Sequence, residues 1–203
     1  MAKKFDNSGI NLKDFKLNEE GSFSITRPYE SAQIIFFIEN FIKYYEKDDV
    51  DLSTKILTDA TACMGGDLVR FSKYFRMING IEILEENFAL LIQNCKQFGC
   101  HNVNLFCQNY LEIYDRLKQD VIYLDPPWGG TSYKNKDIIS LKMGNLELWE
   151  LVDLIKSKKL AKFVFIKAPM NVCLEKLEYD SIHIIHNKSK IASFKLICMS
   201  LVT

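Results

Sequence analysis

The order of apolar segments constrains this chain more than any other feature. From residue 55 onward, short apolar runs alternate with stretches of helical spacing. Residues 55–59, 77–84, 103–107, 121–124 and 163–166 read as strands. Residues 66–73, 85–97, 110–118 and 146–156 read as the helices between them, with Phe88, Leu91, Ile92 and Cys95 on one face of the second. Such alternation builds a parallel sheet with helices on both faces. The ending breaks the rule: residues 181–185 and 193–201 are two strands joined only by the turn around Asn187 to Lys190. A parallel crossover needs a dozen or more residues, so this pair is antiparallel. The expected fold is therefore α/β, a mostly parallel seven-stranded sheet that ends in an antiparallel hairpin.

Upstream, residues 1–24 are polar and are expected to form an arm with little regular structure. Thr26 reads as an N-cap, with Pro28 and Glu30 in the first turn of a helix that carries Ile34, Ile35, Phe37, Ile38, Phe41 and Ile42. The acidic segment 46–51 ends it. The expected organisation is an arm over 1–24 and a single domain over 25–203.

At 203 residues, 48% apolar, the chain is long enough for a sizeable core and unlike a disordered one. Its 26 basic and 26 acidic residues cancel, which argues against a protein that coats duplexes. The balance is uneven along the chain. Residues 1–130 hold 14 basic and 19 acidic residues, and residues 131–203 hold 12 and 7. The second half therefore suits a short anionic ligand. No apolar run reaches the roughly 18 residues of a membrane span, and the N-terminus lacks the apolar core of a signal peptide. The expectation is an intracellular protein, cytoplasmic or nuclear rather than secreted. The six cysteines then read as reduced thiols. Cys95, Cys100, His101 and Cys107 cluster in sequence without a CxxC pair, so no metal site is expected.

Three motifs carry chemistry. Asp59 to Asp67 follows the first strand and leads into a helix; its pair Gly65-Gly66 lets backbone approach a ligand closely, and no Gly-Lys-Ser/Thr ending marks it as a P-loop. Glu82 lies 23 residues after Asp59, at the end of the second strand, where nucleotide-binding sheets hold a ribose. Asp125-Pro126-Pro127-Trp128-Gly129-Gly130 directly follows the fourth strand. Its prolines remove two N–H donors and leave carbonyls as free acceptors. A carboxylate, such a carbonyl and a flat indole suit a planar base with an exocyclic amine: the amine donates to Asp125 and Pro126 while the ring stacks on Trp128.

The Asp-Pro-Pro-Trp tetrapeptide resembles the mark of S-adenosylmethionine-dependent methyltransferases that act on exocyclic amino groups, and the predicted sheet is the architecture of class I methyltransferases. The longer Pro-Pro-Trp-Gly-Gly, with Tyr133 three residues on, is similar to the trimethylguanosine synthase family, the RNA cap guanine-N2 methyltransferases. The resemblance extends over about residues 19–200: residues 20–26 are similar to a segment that encloses the cofactor, Asp59-Ala60 through Gly65-Gly66 to the cofactor loop, residues 107–111 to a Gly-Asp-Phe segment, and Pro169 with Asn171 to a late Pro-x-Asn. It implies a cofactor set of Thr26, Asp59, Ala60, Cys63, Gly65, Gly66, Glu82, Asn109 and Asp125. The departures are Cys63 for the first glycine of the loop, Asn109 for an aspartate that meets the adenine amine, Asp125 for serine, and Met170 for an arginine.

The implied reaction moves a methyl group from S-adenosylmethionine, leaving S-adenosylhomocysteine, to guanine N2 of a (7-methyl)guanosine cap, without a metal. The expected catalytic residues are Asp125, Pro126 and Trp128, with Asp125 either a base or purely electrostatic. Trp128, Tyr133, Lys134, Lys167 and Asn171 are the expected substrate contacts; Lys136, Lys188 and Lys190 are further candidate cations. A cationic 7-methylguanine on Trp128 gains about 0.5–2 kcal/mol of cation–π energy. The expected partner is capped RNA or a cap analogue, with no membrane, bound by a monomer. Two alternatives stand beside this reading: a ribosomal or transfer-RNA guanine-N2 or adenine-N6 methyltransferase, and a catalytically degenerate cap-binding subunit.

Overall fold

The computed structural model describes residues 9–47 and 50–202. The first eight residues of the expected arm, and Asp48 and Asp49 of the acidic segment, lie outside them. Among the described residues nine strands follow in chain order: β1 (Ile56–Asp59), β2 (Met77–Glu82), β3 (Val103–Cys107), β4 (Val121–Leu124), β5 (Lys142–Met143), β6 (Leu146–Glu147), β7 (Phe163–Ala168), β8 (Ser181–His186) and β9 (Ala192–Ser200). Seven of them form one sheet in the order β3-β2-β1-β4-β7-β9-β8. The first five in that order run parallel; β9 is antiparallel to both β7 and β8. The expected fold class is thus observed, and the return strand β9 slots between β7 and β8. The short β5–β6 ribbon was not anticipated; it takes two residues from the expected helix start at 146.

The helices are α1 (Glu19–Ser24), α2 (Pro28–Glu46), α3 (Leu68–Phe71), α4 (Glu85–Gln97), α5 (Tyr110–Ile113) and α6 (Leu148–Ser157). α2 begins at Pro28, with the Glu30 carboxylate accepting the Arg27 N–H at 3.2 Å. The N-cap is therefore Arg27 and not Thr26, whose hydroxyl is engaged elsewhere. α2 buries Ile34, Ile35, Ile38, Phe41 and Ile42, as its spacing predicts. Each buried side chain of this size contributes about 1.5–3 kcal/mol of transfer free energy.

The core divides by strand parity. Val121 and Tyr123 of β4, with Phe163 and Phe165 of β7, join the cluster under α2, α3 and α4. Ile122, Leu124, Val164 and Ile166 join the opposite cluster under α5 and α6. β4 and β7 are buried on both faces, which is why they read as continuous apolar runs. The same parity carries Asp125 and Lys167, the next odd positions, towards the α2 side at the carboxyl ends of adjacent strands.

The arm is more ordered than its polarity suggests. Residues 9–24 contain a 3-10 turn at Leu12–Asp14 and α1, and they bury Ile10 and Phe15. The buried Asn94 of α4 holds them: its carbonyl accepts the Lys16 N–H at 2.7 Å, and its amide donates to the carbonyls of Lys16 (3.0 Å) and Met64 (2.8 Å). Partners 78 residues apart leave no local signal. Likewise the helix expected at 110–118 divides into α5 and a 3-10 turn at Tyr114–Arg116.

Candidate active site

The glycine turn, Glu82 and the Asp-Pro-Pro-Trp loop meet at the carboxyl ends of β1, β2 and β4, where open α/β sheets bind ligands. The turn is pinned from below: Ala60 N–H donates to the Tyr123 carbonyl at 3.0 Å and Ala62 N–H to the Ile81 carbonyl at 2.8 Å. Gly65 has φ +89°, a region open to glycine. Cys63 sits at φ +48° without that freedom, at the position where the resembled family has glycine. The arm lies directly on this turn. A Cβ on Gly21 would come within 2.5 Å of Met64 Cε, and one on Gly66 within 2.6 Å of Ile25 Cγ1. Glycine at both positions is what permits the approach.

Beneath the arm lies a buried polar network that links residues distant in sequence. Lys167 is 4% exposed. Its ammonium donates to Asp125 Oδ2 at 2.7 Å and to Thr26 Oγ1 at 2.7 Å, and stands 4.0 Å from Asp67 Oδ2. Asp67 Oδ2 accepts from Thr26 Oγ1 at 2.8 Å and from the Tyr123 hydroxyl at 2.9 Å, whereas its Oδ1 is buried without a partner. Asp125 N–H donates to Thr61 Oγ1 at 2.7 Å, which fixes the start of the loop. Burial would lower the Lys167 pKa, but Asp125, Asp67 and Glu30 overcome it and hold the ammonium above the usual lysine range. Burial raises the Asp125 carboxyl despite Lys167. Asp59 is pushed well above the usual carboxylate range, by burial first and then by Asp67.

Lys167, expected as a substrate contact, is therefore buried and engaged by protein partners. It does stand at a strand end in the site, but it turns inward because it shares the parity of Phe163 and Phe165. Its ammonium also lies 5.6 Å from the Trp128 ring centroid and 5.0 Å from that of Phe194. Trp128 is half-buried, with Tyr133 edge-on at 5.2 Å. Its buried indole N–H favours the ionised Asp125 without reaching hydrogen-bond geometry.

The other expected residues fall as follows. Glu82 is buried at the end of β2 and accepts the Leu84 N–H at 2.7 Å. Asn109 caps α5, its side-chain oxygen accepting the Leu111 N–H at 3.0 Å. Pro126 is buried, and Lys134 is exposed with its ammonium 5.9 Å from the Tyr133 ring centroid. Asn171 donates to the carbonyls of Tyr133 (2.9 Å) and Lys136 (2.7 Å), so its amide shapes the turn bearing Tyr133 instead of facing a ligand. Asp67 and Asn94 are site neighbours to which sequence reasoning gave no role; Asp67 follows Gly66 directly, where an acidic residue passes for a helix-start charge. Among the described residues no group of three or more His, Cys, Asp or Glu could hold a metal ion.

Sheet order, the antiparallel return strand and a site at the strand ends define a class I methyltransferase fold. Among solved structures, an RNA methyltransferase from Salinibacter ruber in complex with S-adenosyl-L-homocysteine superposes with a TM-score of 0.52 at 15% identity, covering 81% of this chain and 90% of that one. A Streptococcus thermophilus rRNA methylase gives 0.51 at 14% identity, covering 83% and 96%. These likenesses concern the fold. The chain belongs to the RNA cap guanine-N2 methyltransferase family, whose pattern matches residues 54–200. It is 31% identical over 126 residues to an uncharacterised protein of Acanthamoeba polyphaga mimivirus, covering 61% of this chain and 49% of that protein. It is 25% identical to the trimethylguanosine synthase of Schizosaccharomyces pombe, covering 95% of this chain and 80% of the yeast protein. With the Saccharomyces cerevisiae trimethylguanosine synthase, also 25% identical, it covers 87% and 54%. The chain thus spans about half the length of two of these three relatives.

Proposed function

We propose that this protein transfers a methyl group from S-adenosylmethionine to the exocyclic N2 of a 7-methylguanosine RNA cap. The observation that carries the reading is the convergence of Asp125 and Trp128 with the glycine turn and Glu82 at one end of the sheet. The residues present fit a cationic methyl donor. Glu30, Asp67, Glu82 and Asp125 outnumber Lys167 and Arg70 in and around this end of the fold, and Asp67 Oδ1 is a buried acceptor without a partner. In this reading Glu82 receives the ribose hydroxyls, Asp59, Ala60, Cys63, Gly65 and Gly66 line the cofactor, and Thr26 closes the arm over it; Asn109 retains an oxygen lone pair for the adenine amine. When bound, S-adenosylmethionine supplies an activated methyl group.

The residues of this chain supply position and charge. The guanine amine is a poor nucleophile because its lone pair is delocalised into the ring. Asp125 and the Pro126 carbonyl accept its hydrogen bonds, hold it in line and stabilise the positive charge that grows on nitrogen. Asp125 keeps 24% of its side chain exposed for this while Oδ2 is tied to Lys167. Trp128 stacks the base, Tyr133 sets its edge, and Lys134 faces the phosphates. A radiolabelled donor offered with 7-methylguanosine cap dinucleotide, unmethylated cap and ribosomal RNA tests the reading. Label on the methylated cap supports it, and calorimetry on Trp128→Ala should then show cap affinity lost with cofactor affinity kept. Label confined to ribosomal RNA, or cap binding without transfer, overturns it in favour of an RNA base enzyme or a binding subunit.

A further inference from the structure

Lys167 is a buried cation at the meeting point of three chain segments that are far apart in sequence. β7 supplies the ammonium, the Asp-Pro-Pro-Trp loop supplies Asp125, and the link between arm and α2 supplies Thr26. A lysine that is 4% exposed cannot be solvated, so its charge has to be met by these partners. The bonds also fix geometry. Asp125 has one oxygen held by Lys167 and its N–H held by Thr61, so its carboxylate plane is determined before any substrate arrives. Thr26 Oγ1 accepts from the ammonium and donates to Asp67 Oδ2, which fixes the link between arm and α2 above the glycine turn. The same ammonium lies 5.6 Å from the Trp128 centroid and 5.0 Å from Phe194, covering one side of the aromatic pair.

We propose that Lys167 is a positioning residue that joins the link between arm and α2 to the Asp-Pro-Pro-Trp loop as one unit: by holding Asp125 Oδ2 and Thr26 Oγ1 together, it aims the remaining carboxylate edge and the indole at the substrate amine. The inference rests on the proposed role of Asp125. It explains why an aspartate at this position comes with a buried lysine on the neighbouring strand, since Leu124 pairs with Ile166 and the next residue on each strand is Asp125 and Lys167. The charged and titratable groups that surround the pair are Asp59 of β1, Asp67 before α3, Glu30 of α2, Tyr123 of β4 and Tyr133 of the turn at 130–136.

The test is Lys167→Met in the full chain, with the Asp125 carboxyl carbon followed by 13C NMR against pH. Lys167 favours the ionised form of Asp125, so its loss lets the proton persist to higher pH. The midpoint should rise by about one pH unit or more, and the acidic limb of kcat should move with it. The arm should also be cut faster by trypsin at Lys13 and Lys16. A lysine that merely fills space would lower stability and leave the midpoint and the limb in place, which overturns the proposal. Thr26→Val keeps both charges and serves if Lys167→Met does not fold. It should leave the Asp125 midpoint unchanged while the arm is cut faster; an arm as resistant as in the wild type overturns the link. If the wild-type chain methylates no cap, the reading of the function fails, while the NMR midpoint and proteolysis still decide the role of Lys167.

Discussion

Replacing Asp125 by alanine should damage the fold as well as any chemistry, because it strands a buried ammonium. Lys167 is 4% exposed and its strongest partner is Asp125 Oδ2 at 2.7 Å. At an effective dielectric constant of about 20, unit charges at that separation attract by about 6 kcal/mol. Asp125 is 24% exposed, so water screens part of this, and Asp67 at 4.0 Å still offsets some of the charge. A net loss of about 3 kcal/mol remains, at the low end for a broken buried pair. For a domain of this length that lowers Tm by about 6–12 °C. Calorimetric unfolding of Asp125→Ala measures it. Adding Lys167→Leu to Asp125→Ser removes the stranded charge, so the double variant should be more stable than the sum of its single variants by about 2 kcal/mol. An Asp125→Ala protein within 1 kcal/mol of wild type, or strictly additive variants, would refute the ion pair. The double variant also separates the chemistry of Asp125 from its structural part.

Gly66→Ala places a Cβ 2.6 Å from Ile25 Cγ1 and 3.4 Å from the Thr26 nitrogen, so the arm must shift. We expect a cost of about 1–3 kcal/mol and faster tryptic cleavage at Lys13 and Lys16, read by mass spectrometry. Asn171→Ala deletes both bonds to the turn at 130–136; substrate KM should rise several-fold with kcat nearly kept, and steady-state kinetics on the cap dinucleotide check it. Asp59 has a folded pKa raised well above its unfolded value, first by burial and then by Asp67. The folded state then holds a proton that the unfolded chain loses near pH 4, so stability falls as pH rises from there through the folded pKa. Asp59→Asn lacks that loss and should gain stability over wild type at pH 7 and little at pH 4, measured by urea unfolding at both.

Much of this was legible in the chain. The strand–helix alternation and the short final turn specify the sheet and its antiparallel end, because local periodicity and connection length decide them. The glycine turn, Glu82 and the Asp-Pro-Pro-Trp loop were legible for a similar reason: each ends or directly follows a strand, and strand ends share one edge. What escaped depends on contacts across the chain. Asn94 orders the arm through Lys16, and no local pattern in residues 9–24 announces a partner in α4. Lys167 reads as a substrate contact because it stands at a strand end. Its parity with Phe163 and Phe165 was the available signal that it turns inward, towards the same face as Asp125. Thr26 reads as a cap because Pro28 and Glu30 follow it in a first helical turn; its hydroxyl is instead the bridge between Lys167 and Asp67.

Methyl transfer to guanine N2 of a methylated cap leaves its mark on the product itself. The full chain incubated with 7-methylguanosine cap dinucleotide and S-adenosylmethionine bearing a 13C methyl group gives a product whose labelled carbon can be located by NMR. A label coupled to the N2 position should form with the wild type and be lost in Trp128→Ala. Label on a ring nitrogen or a ribose oxygen, or N2 transfer that survives in Trp128→Ala, would overturn the reading.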